Sequence, residues 1–310
     1  MKCTICKGKT KSLHNNLYDD RYGAPGNFSI NCCKKCGFCR IDPVLNKDKI
    51  GKFYQKYYPL SSLKVTDVKK SINNFPKFVN WIMGTNNITH RYIDKNSNVL
   101  DVGSASGVSL LEIKKLGGNA YGVEPDPNAS RIAKALKLNV FKGFLTDGPY
   151  PNTKFDFVTA SQVIEHEPDP LKFLISAKKK LKKDGKIILS FPNFGSLHSK
   201  VFGREWINWH VPYHINYFNK KSFKLLVKKA GLRILKEKTI TPNIWTVLQI
   251  RKLFIKNKIG EKNILWTIKK SSWIVKMLNL ALFVLITPIN RIVDKSGYGD
   301  SLLIILDNNE

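Results

Sequence analysis

Short apolar runs alternate with amphipathic segments between residues 97 and 241, and a further apolar run lies near residue 301. Runs of this length, bounded by turn residues, are typical of strands, and their alternation with helical patterns indicates βαβ units. The seven predicted strands are Asn98–Val102, Asn119–Val123, Val140–Phe144, Phe155–Ala160, Lys186–Phe191, Leu232–Ile240 and Ser301–Leu306. The predicted fold class is therefore α/β, a mostly parallel sheet whose last two strands pair antiparallel.

The segments between these strands have helical spacing. The predicted helices are Val108–Leu116, Pro127–Leu136, Pro170–Lys182 and Lys221–Ala230. A glycine follows three of them, at Gly117, Gly185 and Gly231. We expect each glycine to end its helix in a left-handed conformation.

Changes in composition divide the chain into four parts. Residues 1–45 are rich in cysteine, and residues 46–96 form an aromatic, helical linker broken at Pro59 and Pro76. The sheet domain covers residues 97–241 and 298–310. Residues 242–297 form a helical insertion before the last strand, and this insertion holds Trp245, Trp266 and Trp273.

All six cysteines lie within the first 39 residues, and four of them form two Cys-x-x-Cys pairs. Four thiolates from two such pairs satisfy tetrahedral zinc and leave no open position, so the predicted ion is structural. The predicted zinc ligands are Cys3, Cys6, Cys33 and Cys36. Free structural cysteines or a redox pair are the alternatives, and Cys32 and Cys39 either replace a neighbouring ligand or stay free.

The strongest signal for a ligand site is Asp101-Val102-Gly103-Ser104-Ala105-Ser106-Gly107, which follows an apolar strand and opens a helix. Small residues allow a tight turn and a close approach of backbone to ligand. Glu124 ends the next strand, where a carboxylate can accept hydrogen bonds from both hydroxyls of a ribose. In open α/β sheets, ligands bind at these carboxyl-end loops.

These motifs resemble, in order and spacing, the class I S-adenosylmethionine-dependent methyltransferases. The loop Ser161-Gln162-Val163-Ile164-Glu165-His166 and the following Asp169-Pro170 resemble the segment after that family's fourth strand. The resemblance implies a Rossmann-like fold with S-adenosylmethionine as cofactor. Ala105 departs from the family, which often has glycine there, and we expect the extra methyl group to be tolerated.

The resemblance implies that the glycine-rich turn, the ribose-binding acid and the loops that follow bind the cofactor. The predicted cofactor residues are Asp101, Gly103, Ser104, Ala105, Gly107, Glu124, Pro125, Phe144, Leu145, Ser161 and Gln162.

The zinc module and the segment Phe53-Tyr54-Gln55-Lys56-Tyr57-Tyr58 further resemble zinc-ribbon-bearing methyltransferases, which include deoxysugar C-methyltransferases and enzymes of polysaccharide gene clusters. The resemblance implies that this aromatic segment packs near the cofactor, although simple packing between modules is an equal alternative.

Three histidines are candidates for the base that methyl transfer to a protonated nucleophile needs. They are His166, His210 and His214. The alternative for each is a hydrogen bond that holds a loop. Trp206, Trp209 and Tyr213 offer flat faces on which a sugar ring could stack.

The formal net charge of +29 favours anionic partners, and genomic drift toward lysine is an equal explanation. Residues 242–297 suit either a peripheral membrane contact or a lid over the substrate. With no apolar leader, we expect a cytoplasmic protein with reduced thiols, either free or peripheral on the inner face of the membrane.

The sequence thus predicts methyl transfer to a small-molecule or glycan acceptor: a nucleotide sugar, a lipid-linked sugar or a polysaccharide end. One alternative is methylation of RNA, which the net charge and the zinc module favour. The loop after the fourth strand lacks the motif that grips a flipped base, and no cysteine follows Cys39, so this alternative is left with the ribose as the methylated group. Another is a zinc-ribbon binding protein whose methyltransferase domain is inactive.

Overall fold

The computed structural model describes residues 2–58, 65–72, 75–263 and 273–308. The strands are β1 (Thr10–Leu17), β2 (Phe28–Cys33), β3 (Cys39–Asp42), β4 (Asn98–Val102), β5 (Asn119–Glu124), β6 (Val140–Lys142), β7 (Phe155–Ser161), β8 (Leu181–Pro192), β9 (Asn216–Tyr217), β10 (Leu232–Ile240) and β11 (Ser301–Asn308).

The α-helices of the described ranges lie between and after these strands. They are α1 (Lys47–Tyr57), α2 (Val65–Lys70), α3 (Lys77–Met83), α4 (Val108–Lys115), α5 (Pro127–Ala135), α6 (Pro170–Lys180), α7 (Leu197–Phe202), α8 (Lys220–Lys229), α9 (Asn243–Phe254) and α10 (Trp273–Lys295).

The large sheet has seven strands in the order β10-β11-β8-β7-β4-β5-β6. The neighbours from β6 to β8 pair parallel, and β11 pairs antiparallel with both β8 and β10. The predicted α/β fold with seven mostly parallel strands is therefore confirmed. The strand order reverses between β4 and β7, and such a switch point is where ligands bind in this class of sheet.

The glycines after the helices follow the prediction at two of three positions. Gly117 and Gly231 follow α4 and α8 with φ of 88° and 66°. Gly185 instead lies inside β8, because α6 ends at Lys180 and the chain enters the strand at Leu181. A side chain at Gly185 would meet the Phe155 carbonyl oxygen at 2.9 Å, so close packing, and not a helix end, requires this glycine.

The N-terminal module is joined to the large domain by backbone pairing. Its antiparallel sheet has the order β1-β2-β3-β9, and β9 comes from the chain beyond the fifth parallel strand. Cys32 and Cys39 are direct partners across β2 and β3 and form a disulfide. The expectations that these two cysteines stay free or replace a zinc ligand, and that all thiols are reduced, are therefore wrong for this pair.

The segment after β10 contains α9 and α10, which pack on each other. The sequence prediction that placed Trp266 in this insertion falls outside the described residues, as does Pro59 in the linker. Among the described residues, no helix is long and apolar enough to cross a membrane.

Candidate functional site

A cleft of about 330 Å³ lies at the carboxyl edge of the parallel strands, between the large sheet and α1. Its walls are formed by the turn after β4, the ends of β5 and β6, the loop after β7 and one face of α1. The lining residues are Ile50, Gly51, Tyr54, Gln55, Tyr58, Val102, Gly103, Ala105, Val123, Glu124, Pro125, Asp126, Pro127, Gly143, Phe144, Leu145, Gln162, Val163, His166, Glu167 and Pro168.

The turn after β4 requires left-handed backbone at three positions. Gly103, Ala105 and Gly107 have φ of 72°, 45° and 92°. A side chain at Gly103 would meet Val163 Cγ2 at 2.5 Å, and one at Gly107 would meet Leu138 Cδ1 at 2.4 Å. Ala105 also adopts a conformation that favours glycine, so its departure from the family pattern places strain in the turn.

Glu124 connects this turn to β5. Its carboxylate accepts one hydrogen bond from the Ala105 N–H and one from the Asp126 N–H, each at 2.8 Å. Burial raises the pKa of Glu124 to about 7 from its ordinary value of 4.5, against the opposing effect of those two donors. The side chain is 6% exposed and lines the cleft, where its remaining lone pairs can accept from a ligand.

The structure brings seven of the predicted cofactor residues to the cleft wall. They are Gly103, Ala105, Glu124, Pro125, Phe144, Leu145 and Gln162.

The other four predicted cofactor residues lie outside the set that lines the cleft. Asp101 is buried and accepts a hydrogen bond of 2.6 Å from Thr159 Oγ1, which ties β4 to β7. Ser161 Oγ instead accepts a hydrogen bond of 3.2 Å from the Thr89 N–H. Ser104 is buried in the turn, and Gly107 precedes α4. These four residues lie behind the residues that line the cleft.

The wall formed by α1 comes from the aromatic segment 53–58, for which packing near the cofactor and simple packing between modules were equal expectations. Tyr54 lies on α1 and Tyr58 is the extended residue that follows its last turn, and both line the cleft. The closely spaced aromatic residues of this segment were the feature of the sequence that could have identified this wall. The Tyr54 hydroxyl lies 3.0 Å from His166 Nδ1, and Tyr58 packs edge-on against Tyr213.

Of the three candidate histidines, only His166 lines the cleft. Its Nδ1 lies 2.8 Å from the Tyr213 carbonyl oxygen, which can only accept, so Nδ1 carries the proton and Nε2 presents a lone pair. Burial lowers the pKa of His166 to about 4, which keeps the ring neutral.

His210 and His214 are buried, 4% and 6% exposed, and do not line the cleft. His214 Nδ1 lies 2.8 Å from the Asn208 carbonyl oxygen, and burial lowers the pKa of both histidines well below the ordinary value. The prediction that Trp206, Trp209 and Tyr213 present faces to a sugar is wrong for the described conformation. The two tryptophans fill the core between the N-terminal sheet and the large domain, and Tyr213 packs under α1.

Glu165 lies beside these histidines with both carboxylate oxygens buried and without a hydrogen-bond partner among the described residues. Burial raises the pKa of Glu165 to about 8. Its Oε1 lies 3.9 Å from His166 Nε2.

The four predicted zinc ligands meet at one point. Cys3 Sγ lies 3.7 Å from Cys36 Sγ, and Cys6 Sγ lies 3.4 Å from Cys33 Sγ. Tetrahedral zinc with bonds of about 2.3 Å places its sulfur ligands roughly 3.8 Å apart, so the donor set and its spacing fit the ion. Backbone bonds from Lys7 to Cys3 and from Gly37 to Cys33 close the two turns.

Comparison with known proteins agrees with this geometry. A family model described as a methyltransferase domain matches residues 85–237. Over 151 residues the chain is 27% identical to the ubiquinone biosynthesis O-methyltransferase of Hydrogenovibrio crunogenus, covering 44% of this chain and 63% of that protein. Over 101 residues it is 31% identical to the mitochondrial ubiquinone biosynthesis O-methyltransferase of Schizosaccharomyces pombe, covering 30% of this chain and 36% of that protein. The matches thus span less than two thirds of either relative.

Two solved structures share the fold. One is a chain from a complex between the Haloferax volcanii Trm112 methyltransferase activator and a methyltransferase, with a TM-score of 0.52 and 14% identity, covering 86% of this chain and 100% of that one. The other is Haemonchus contortus phosphoethanolamine N-methyltransferase 2 in complex with S-adenosyl-L-methionine, with a TM-score of 0.51 and 15% identity, covering 88% of this chain and 62% of that one. Together with the cleft, these matches establish that the chain carries a class I S-adenosylmethionine-dependent methyltransferase domain.

Proposed function

We propose that this protein transfers the methyl group of S-adenosylmethionine to a small-molecule or glycan acceptor. One observation carries the proposal: a single cleft has Gly103, Ala105 and Glu124 on one wall and Tyr54 and His166 on the other. The first wall suits a nucleoside with a flexible amino-acid tail, and the second suits an acceptor with apolar and polar parts.

On the cofactor side, Glu124 would accept hydrogen bonds from the two ribose hydroxyls, and the turn after β4 would hold the methionine portion. Phe144 and Leu145, which also line the cleft, would hold the adenine. S-adenosylmethionine supplies an electrophilic methyl group when bound. In the transfer, the acceptor atom would bond to the methyl carbon as the carbon–sulfur bond broke, S-adenosylhomocysteine would be the leaving group, and a proton carried by the acceptor would pass to a base at the acceptor side of the cleft.

On the acceptor side, Tyr54, Tyr58 and His166 orient the nucleophile toward the methyl group. Because His166 Nδ1 faces the Tyr213 carbonyl oxygen, its Nε2 is the ring nitrogen whose lone pair is available on the acceptor side. Alignment of nucleophile and methyl group supplies a large part of such a rate enhancement.

The small-molecule class of acceptor is supported by the similarity to the two ubiquinone biosynthesis O-methyltransferases. The glycan class rests on the resemblance of the zinc module and of α1 to zinc-ribbon-bearing methyltransferases of sugars. The net charge of +29 favours an anionic acceptor such as a nucleotide sugar or a lipid-linked sugar phosphate.

The test is transfer of a tritiated methyl group from S-adenosylmethionine by the purified chain. The acceptors are dihydroxylated aromatic compounds, nucleotide sugars, a lipid-linked sugar and total RNA, each assayed separately. Label in a small-molecule or glycan fraction supports the proposal. Label in RNA alone favours the ribose alternative, and binding of cofactor without transfer to any acceptor favours the inactive binding protein.

We further propose that Cys3, Cys6, Cys33 and Cys36 hold one structural zinc ion. Four thiolates leave no coordination position open, so the ion takes no part in the transfer. Its role is to fix the N-terminal sheet against the large domain, because Cys3 and Cys36 share a core cluster with Phe218 and Phe191.

The insertion carries a surface that fits peripheral contact with an anionic membrane. Val284, Leu285, Ile289 and Ile292 on α10 are 59–67% exposed, and Phe254 at the end of α9 is 81% exposed. Exposed apolar residues on a strongly basic chain suit the interface of a membrane with anionic lipids. Sedimentation with phosphatidylglycerol vesicles tests the contact: the pair of substitutions Leu285→Glu and Ile289→Glu should abolish binding, and a wild-type chain that stays in the supernatant rejects it.

A further inference from the structure

A second group of potential metal ligands lies at the inner end of the cleft, apart from the four cysteines. One carboxylate oxygen of Glu165, one ring nitrogen of His166 and one of His214 lie within 4.8 Å of one another. Glu165 is 1% exposed and His214 is 6% exposed, whereas His166 borders the cleft.

Each of the two histidines has its Nδ1 next to a backbone carbonyl oxygen. His166 Nδ1 faces the Tyr213 carbonyl oxygen, and His214 Nδ1 faces the Asn208 carbonyl oxygen, each at 2.8 Å. A carbonyl oxygen can only accept, so each Nδ1 carries the proton and each Nε2 carries a lone pair. Histidine ligands of metals are typically held in this way, by a backbone carbonyl at the other ring nitrogen.

Glu165 supplies the third potential ligand atom of the group. Neither of its oxygens has a hydrogen-bond partner among the described residues, and the 3.9 Å from Oε1 to His166 Nε2 exceeds a hydrogen bond. A buried carboxyl group without a hydrogen-bond partner is costly. A cation at the centre would satisfy all three groups at once.

We propose that Glu165, His166 and His214 bind a divalent first-row transition-metal ion. Bonds of 2.0–2.2 Å place the donors roughly 3.0–3.5 Å apart, so the described arrangement has to contract by at most about 1.8 Å. Two imidazoles and one carboxylate form a donor set that suits such ions and leaves coordination positions open.

The open positions give the ion access to the acceptor, because His166 itself lines the cleft. A metal bound there coordinates an oxygen of the acceptor and lowers the pKa of its hydroxyl group, which makes that oxygen a better nucleophile. This role rests on the proposed function, whereas binding of the ion does not. Acceptors that carry a hydroxyl group are thereby favoured over acceptors that carry only an amine or an acidic carbon.

Titration with MnCl₂, followed by the electron paramagnetic resonance signal of free Mn²⁺, tests the site. One equivalent of zinc per chain is added beforehand, which the four thiolates take up, and Mn²⁺ prefers oxygen and nitrogen ligands to thiolates, so Mn²⁺ reports on the second group. We expect one Mn²⁺ per chain in the wild type and at least tenfold weaker binding in Glu165→Gln and in His214→Asn.

His90→Gln is the matched control, because His90 and Glu112 form another buried histidine–carboxylate pair, at 2.7 Å, that is not part of a three-ligand group among the described residues. This variant should bind Mn²⁺ like the wild type. A wild-type chain that leaves all Mn²⁺ free overturns the proposal whether or not the variants fold. Equal binding by the wild type and a folded Glu165→Gln variant overturns it as well. Mn²⁺ binding without methyl transfer to any acceptor would refute the proposed function and leave the metal site standing.

Discussion

Glu124 offers a quantitative test of the cofactor site, because burial gives its carboxyl a pKa of about 7 in the free protein. Ribose hydroxyls donate to the carboxylate and so favour its ionised form, which means that cofactor binding releases a proton. Affinity should therefore be constant above the pKa and fall below it. From pH 8 to pH 5.5 the expected loss is about thirtyfold, the factor by which protonation depletes the ionised form at 1.5 pH units below the pKa.

Glu124→Gln removes the charge and converts one acceptor into a donor. The loss of one charge-assisted hydrogen bond, about 1.5–3 kcal/mol, should weaken S-adenosylmethionine binding roughly 10- to 150-fold at pH 8. The variant should also lose the part of the pH dependence that Glu124 causes, while any titration of the cofactor itself remains in both proteins.

The same shift predicts an opposite effect on the stability of the free protein. The folded-state pKa lies above the unfolded value of 4.5, so the free energy of unfolding falls as the pH rises from about 4.5 to 7 and stays low above 7. A shift of about 2.5 units corresponds to roughly 3 kcal/mol at pH 8. Glu124→Gln should recover part of this lost free energy of unfolding. The variant should therefore unfold at higher urea concentration although it binds the cofactor more weakly.

Isothermal titration calorimetry at pH 5.5, 7 and 8 and urea unfolding measure both effects. Glu112→Gln is the control, because Glu112 is equally buried on α4 but pairs with His90 away from the cleft. It should leave cofactor affinity unchanged. If wild type and Glu124→Gln show the same affinity and the same pH dependence, Glu124 does not bind the ribose.

Three further predictions test the turn, the metal module and the acceptor wall. Ala105→Gly should raise the free energy of unfolding by about 0.5–1 kcal/mol, since relief of the left-handed strain exceeds the entropic cost of glycine, whereas Ala133→Gly in α5 should lower it. Cys36→Ser should reduce zinc from about one per chain toward zero by elemental analysis and lower the melting temperature; full zinc content in a folded variant would exclude Cys36 as a ligand. His166→Ala should lower turnover about 10²–10⁴-fold with unchanged cofactor affinity, and Tyr54→Phe should have a smaller effect; full turnover in both would place the acceptor elsewhere.

The sequence predicted the large sheet because the evidence for it is local. A strand such as Asn98–Val102 shows its apolar pattern within five residues, and the turn that follows shows its small residues directly. The loops were then placed together by a general rule of parallel sheets, which is why seven cofactor candidates reach one cleft.

Features that depend on distant parts of the chain could not be predicted in this way. The pairing of β3 with β9 joins residues far apart in sequence, and it buries the tryptophans that looked available to a sugar. His210 and His214 follow the fifth parallel strand, as a catalytic loop would, yet their loop folds inward beneath α1 and the N-terminal sheet. Local patterns indicate that a loop is present but not which way it folds.

A crystal structure of the chain with S-adenosylhomocysteine would test the central claim most directly. The account predicts the ribose hydroxyls within 3.2 Å of the Glu124 carboxylate, as hydrogen bonds require, and the cofactor sulfur facing the wall of Tyr54 and His166. A ligand bound outside the cleft, or a ribose that does not contact Glu124, would contradict it.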